Sequence, residues 1–307
     1  MCLLDFKQHL FTETLDDLHP GRLLINTLNA YSYVTANANK TFKDALLKSN
    51  VLLPDGVSIV LAIKLLTGDR LKKIAGDDLF KWEMSRLNRI GGKCFFLGSS
   101  ISILTEIKDR CKKQYPNVSV DFYSPPFKEA FDEQDTENML HAINDFSPEV
   151  LFIGMTAPKQ EKWAAENFSK INAAHVCSIG AVFNFFAGRP KRAPSWIIKV
   201  GMEWFYRLVR QPGRMWKRYL IGNAKFVSLI LGEKLKFELR SKTPVISQDI
   251  LSTLEPGMYP RELDQAGFSQ EFTVTNQRYS RFTTPQDLLP NTSQITSKLE
   301  QTRNQSI

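Results

Sequence analysis

Several polar residues stand where apolar runs end, the positions at which an α/β protein presents chemistry. In Leu53-Pro54-Asp55-Gly56, Asp55 lies on a turn between an amphipathic stretch (Lys40 to Ser49) and an apolar one (Val57 to Leu66). An aspartate there either caps the helix that follows or offers a carboxylate as general base. The run ending at Thr27-Leu28-Asn29-Ala30 delivers two polar side chains, Thr27 and Asn29, to a strand end. Ligands of open α/β sheets bind at such ends, although a hydrogen-bonded turn accounts for the pair equally well.

Other segments suit phosphate. Phe96-Leu97-Gly98-Ser99-Ser100 reads as a strand, a small-residue turn and a helix start, which leaves backbone N–H groups free to bind an anion. In Ile153-Gly154-Met155-Thr156-Ala157-Pro158-Lys159-Gln160-Glu161, a strand ends at glycine and a proline opens a helix. Lys159 and Gln160 then sit in a first turn, beside the positive end of the helix dipole, a setting for uracil, ribose or phosphate; simple helix initiation with solvated side chains is the alternative. Gly180 follows another strand and permits close approach of backbone to a ligand. Arg207, Arg210, Arg214 and Arg218 recur at gaps of three, four and four, one basic stripe if Pro212 only bends the helix.

Absences narrow the chemistry. The sequence contains no Asp-x-Asp, no His pair at ligand spacing, no Gly-x-Ser-x-Gly elbow and no Walker A loop. Metal, esterase and P-loop chemistry all lose ground. No metal and no cofactor is expected.

The elements that must position these residues follow from the hydrophobic pattern. Strands are expected at Leu23 to Thr27, Lys93 to Leu97, Val118 to Tyr123, Val150 to Ile153 and His175 to Ile179. Helices are expected at Ile101 to Gln114, Glu137 to Asp145 and Pro158 to Ile171. The alternation argues for a Rossmann-like α/β fold, an open and mostly parallel sheet with helical crossovers. With 307 residues, 43% of them hydrophobic, the chain can bury a substantial core. Its four cysteines form no Cys-x-x-Cys pair and no signal-peptide pattern opens the sequence, so a reduced, cytosolic setting is expected. No run reaches the ~18 to 20 apolar residues needed to cross a bilayer.

The net charge of +8 is regional. Between Arg189 and Arg240 stand thirteen Lys/Arg against three Glu, a local net of +10, which leaves the other 255 residues near −2. Trp196, Trp204, Phe205, Tyr206, Trp216 and Tyr219 interleave with these cations, a mixture suited to an anionic membrane face or a diphosphate clamp. From Ser241 onward, Ser, Thr, Gln and Asn make up 28 of the last 67 residues, a composition expected to be disordered. Residues 1–194 are therefore read as an α/β domain, 195–240 as a helical basic and aromatic appendage with a corner at Pro212, and 241–307 as a polar tail.

Taken in order, these segments, with Ile74-Ala75-Gly76-Asp77-Asp78-Leu79, Gly180-Ala181-Val182-Phe183-Asn184-Phe185-Phe186-Ala187-Gly188, Arg192-Ala193-Pro194, Glu203-Trp204-Phe205-Tyr206-Arg207-Leu208 and Gln211-Pro212-Gly213-Arg214, resemble the WecG/TagA/CpsF glycosyltransferases, glycosyltransferase family 26, from about residue 20 to 232. The resemblance implies an inverting, metal-independent transfer of a sugar (N-acetylmannosamine, its uronate or glucose) from a UDP-sugar to a polyprenyl-diphosphate-linked saccharide, at the cytoplasmic face of the membrane. It assigns Asp55 as the base, Thr27 and Asn29 to the same site, and Gln160 to substrate. Arg207, Arg214 and Arg218 fall in the appendage that folds over the site. Lys159, Gly98 and Gly180 complete the expected substrate contacts.

Rival readings are a non-catalytic nucleotide-binding protein tethered to anionic membrane, a nucleic-acid binder and a dehydrogenase. The aromatic content and the lack of a nucleic-acid motif count against the second, and the incomplete dinucleotide fingerprint against the third. An apolar patch for homo-oligomerisation and one for lipid look alike in sequence.

Overall fold

A computed structural model describes residues 2–19, 21–189, 194, 197, 202–210, 213, 216 and 220–242. All belong to the unit Met1–Thr243; the second unit, Pro244–Ile307, with the expected tail, lies outside the described residues.

Six strands form one parallel sheet: β1 (Leu23–Leu28), β2 (Val51–Pro54), β3 (Lys93–Gly98), β4 (Ser119–Tyr123), β5 (Val150–Gly154) and β6 (His175–Ser178), in the order β2-β1-β6-β5-β3-β4. The central strands are buried except at Gly154, the partly buried last residue of β5, as a parallel sheet covered on both faces requires. On one face Ile25, Leu53, Phe96, Phe152 and Cys177 pack against α5 (Gly76–Ile90), α6 (Ile101–Gln114) and α9 (Val182–Phe186). On the other, Leu24, Phe95, Leu97, Leu151, Ile153 and Val176 meet α7 (Glu133–Phe146) and α8 (Lys159–Asn167). A third apolar cluster joins Leu28 and Leu52 to α2 (Ala30–Ala38), α3 (Lys40–Leu47) and α4 (Val57–Thr67).

Local chemistry sets the boundaries. Asn29 and Asn39 cap α2 and α3, accepting from the N–H groups of Ser32 and Phe42. Gly68 and Gly91, both at positive φ, end α4 and α5 in the left-handed conformation that glycine adopts without strain.

The expected Rossmann-like sheet is present, with one correction. Val51–Pro54, read from sequence as part of a turn between helices, is a strand paired with β1 from Ile25↔Val51 to Leu28↔Pro54. Four apolar residues are too few to show a period, and only pairing with β1 distinguishes this run from a helix end. Helices α2 and α5 were not among the expected elements either. The helix Gly222–Lys242 closes the described chain and packs Phe226 and Ile230 into the cluster around Tyr33. The expected corner at Pro212 lies outside the described residues.

Candidate active site

β2 brings Asp55 to the carboxyl edge of the sheet, and the backbone fixes it there. The Asp55 N–H donates to the Leu28 carbonyl at 2.9 Å, and the Ile74 N–H to the Pro54 carbonyl at 3.1 Å, so the turn is tied to β1 and to the segment before α5. Gly56, at φ +105°, is the N-cap of α4 and supplies no side-chain bond. Asp55, one residue before that cap, is half-buried.

Asn29 lies alongside. A Cβ built on Gly56 would stand 4.0 Å from the Asn29 Cβ. The Asn29 Oδ1 accepts from Ser32 N at 3.0 Å and Ser32 Oγ at 3.3 Å, leaving its amide nitrogen available to a ligand. Thr27, opposite Leu53 in the register, is buried one layer below. These three residues come together at the ends of β1 and β2.

A second group occupies the same edge across β6. Gly98 and Gly154 are register partners at the ends of β3 and β5, and the chain leaves them for opposite faces, into α6 and α8. A crevice opens where neighbouring connections diverge in this way. Both glycines are demanded by packing: a Cβ on Gly98 would lie 2.7 Å from the Gly154 carbonyl oxygen, and one on Gly154 2.3 Å from the Phe183 ring. Ser100, the N-cap of α6, makes no side-chain capping bond, so first-turn N–H groups remain available to an anion.

Gln160 is buried and holds this region together. Its Oε1 accepts from Met155 N at 3.2 Å and its Nε2 donates to Glu161 Oε1 at 2.9 Å. A Cβ on Gly180 would meet both terminal atoms of Gln160 at 3.4 Å, so glycine permits the β6 loop to approach. Lys159 reaches sideways: its Nζ donates to the Lys128 carbonyl and lies 3.4 Å from the centroid of the Phe131 ring. Burial lowers its pKa. It pins the segment between β4 and α7 beside the crevice. The two groups of residues are three strand spacings apart from β2 to β5, about 14 Å.

Arg214 and Arg218 lie outside the described residues. Arg207 is in the helix Glu203–Arg210, but its side chain lies outside the description too. Among the described residues, no three His, Cys, Asp or Glu side chains gather into a metal-binding group.

Residues 4–240 match the model of the Glycosyl transferase WecG/TagA/CpsF family. The chain belongs to this family. It is 31% identical over 212 residues to the N-acetylglucosaminyldiphosphoundecaprenol N-acetyl-beta-D-mannosaminyltransferase of Bacillus subtilis (strain 168), covering 69% of this chain and 80% of that protein. The protein of the same name from Bacillus spizizenii is 28% identical over 75% of this chain and 86% of its own length. That from Staphylococcus aureus (strain MW2) is 24% identical over 72% and 83%.

One feature of this WecG/TagA/CpsF protein escaped the sequence reading. A cavity of about 620 Å³ opens beside the Asp55 turn, lined by Thr14, Asp16, Val57, Lys72, Lys73 and Asp78 among others. Lys72-Lys73 precedes the family segment at Ile74 and reads in one dimension as a short solvated charge pair. Only the N-terminal segment folding across from Thr14 makes it a wall.

Proposed function

We propose that this protein transfers a sugar from a UDP-sugar to a saccharide carried on a polyprenyl diphosphate, with inversion and without a metal ion. The names of its relatives favour N-acetylmannosamine as the sugar and N-acetylglucosaminyl-diphosphoundecaprenol as the acceptor. The observation that carries the reading is the carboxyl edge of the sheet. The Asp55 carboxylate stands beside Asn29 at one end, and at the other the connections leaving Gly98 and Gly154 diverge beside the start of α6, whose N-cap makes no side-chain bond.

Asp55 takes the proton from the acceptor hydroxyl, the oxygen attacks C1 of the donor sugar, and UDP leaves on the opposite side. General-base help of this kind supplies roughly 10²- to 10⁴-fold. Charge growing on the leaving diphosphate is met by the amides at Gly98 to Ser100 and the start of α8. Arg207, Arg214 and Arg218 come from the appendage; each such donor is worth on the order of 3 kcal/mol. Gln160 and Gly180 shape the donor pocket, and Lys159 fixes its rim.

The acceptor lipid places the protein at the inner membrane face, as a peripheral protein. The helix Gly222–Lys242 supports this. Phe226 and Ile230 are buried, while Val227, Leu231 and Leu235, which recur every four residues along another face, are 53%, 50% and 61% exposed; Lys225 and Lys236 are exposed on the same helix. A helix that carries both exposed apolar residues and lysines suits an anionic lipid surface. No helix among the described residues is long and apolar enough to cross a membrane.

The test is a panel of UDP-sugars incubated with polyprenyl-diphosphate acceptors, reading UDP release and product linkage with and without EDTA. The expected result is acceptor-dependent release of UDP that EDTA leaves unchanged. Release abolished by EDTA and restored by Mg²⁺ overturns the metal-free mechanism. Nucleotide binding without turnover on any acceptor returns the protein to a tethered nucleotide binder.

A further inference from the structure

We propose that the cavity beside Asp55 is the acceptor subsite, with Lys72 and Lys73 holding the diphosphate of the lipid-linked acceptor and Asp16, Asp78 and Thr14 facing its sugar. The proposal rests on the transferase reading above and adds where the second substrate lies.

Position argues first. β2 is the edge strand of the sheet, and the N-terminal segment runs along its free side through the Leu10↔Leu52 bridge and the Phe11 N–H to Leu52 carbonyl bond of 2.9 Å. That segment then contributes Thr14 and Asp16 to the cavity, which Lys72 and Lys73 line as well. The Ile74 N–H bond to the Pro54 carbonyl locks the lysine segment to the residue preceding Asp55. The cavity thus lies on the outer side of β2, whereas the glycine crevice lies across β1 and β6. A displacement with inversion needs the attacking hydroxyl and the leaving diphosphate on opposite sides of C1. A base between two diphosphate sites satisfies that geometry.

Chemistry argues second. Among the described residues neither lysine has an ion-pair or hydrogen-bond partner. The two carboxylates are partly committed: Asp16 Oδ1 accepts from Trp82 Nε1 at 2.7 Å, and Asp78 Oδ2 accepts from Ala75 N at 2.9 Å. Each keeps a second oxygen that can accept from a sugar hydroxyl. Thr14 donates its hydroxyl to Asp17 at 2.6 Å, and its oxygen can accept. Unpaired ammonium groups beside fixed carboxylate acceptors fit a sugar diphosphate better than a bare anion, which the carboxylates would repel. Lys72 is exposed and Lys73 half-buried, so the attraction weakens as salt rises.

The experiment compares wild type with Lys72→Ala, Lys73→Ala and the double variant in the full chain, using acceptors that carry a lipid diphosphate or a lipid monophosphate. In the double variant KM for the diphosphate acceptor is expected to rise tenfold or more, KM for the UDP-sugar to stay within twofold, and the preference for diphosphate over monophosphate to collapse. A rise in KM for the UDP-sugar with the acceptor unaffected assigns the cavity to the donor and overturns the proposal. Unchanged constants for both overturn it as well. Binding of inorganic pyrophosphate in the presence of saturating UDP is read in parallel, so that a wild type without turnover, which sinks the transferase reading, is told apart from a cavity that binds no diphosphate. Wild type is expected to bind pyrophosphate under these conditions and the double variant at least tenfold more weakly; equal binding by the two contradicts the assignment.

Discussion

Glycines at the carboxyl edge of this sheet have a packing cause that can be separated from any ligand role. Gly154 has Phe183 so close that an added methyl group would overlap the ring at 2.3 Å. Overpacking of this kind costs about 1 to 3 kcal/mol. Gly154→Ala is expected to lower the urea midpoint accordingly, and Gly154→Ala combined with Phe183→Leu to recover part of the loss, measured by equilibrium unfolding. No recovery in the pair would locate the strain elsewhere. Single residues also show what sequence could supply. Asp55, Thr27, Asn29, Gly98, Gly180 and Gln160 were each ambiguous in isolation, because capping, turn and ligand roles draw on the same residue types. The backbone bond from Asp55 to Leu28 and the Gly56 cap of α4 fix where the Asp55 turn stands, which no single residue type could tell. Asn29 keeps both: it caps α2 and sits against the Asp55 turn.

At the scale of elements, the helix Gly222–Lys242 is held by Phe226 and Ile230 in the cluster around Tyr33 and by one carboxylate beside them. Glu233 accepts from the Tyr33 hydroxyl, from Leu3 N at 2.8 Å and from Cys2 Sγ at 3.1 Å. Tyr33 in turn donates its N–H to the Asn29 carbonyl at 2.9 Å, so the last described helix is linked to the turn that begins α2 at the site. Burial, followed by the Glu233 hydrogen bond, pushes the Cys2 thiol up to about 11. It therefore stays protonated at pH 8 and reacts slowly with iodoacetamide, which needs the thiolate. Glu233→Leu is expected to speed Cys2 alkylation and to destabilise the protein by on the order of 2 kcal/mol, since it strips three donors of their partner. Alkylation at an unchanged rate would show that Glu233 does not hold this junction. Sequence pattern could not disclose the contact, which joins residues 231 positions apart. Strands β1 and β3 to β6 were legible as short, mostly apolar runs, and the helices α6 to α8 by apolar residues recurring at a period of 3.6. Val51–Pro54 was not, because its identity depends on the neighbour it pairs with.

For the whole molecule, the order of strands matters more than any one motif. Placing β6 between β1 and β5 sets the Asp55 turn and the Gly98–Gly154 crevice on one edge at a spacing that no linear reading gives, since β1 and β6 are about 150 residues apart in sequence. The same arrangement leaves the outer side of β2 to the N-terminal segment and its lysine-walled cavity. The regional charge, legible from composition alone, belongs to the part of the chain that leads into the last described helix, where exposed leucines and lysines share a surface. The proposed transfer depends on Asp55 acting as the base, and the direct measurement is sugar transfer by Asp55→Asn, an isosteric change that removes the negative charge. The expected result is a kcat lower by roughly 10²- to 10⁴-fold with KM for both substrates within a few-fold; transfer at a rate within a few-fold of wild type would contradict it.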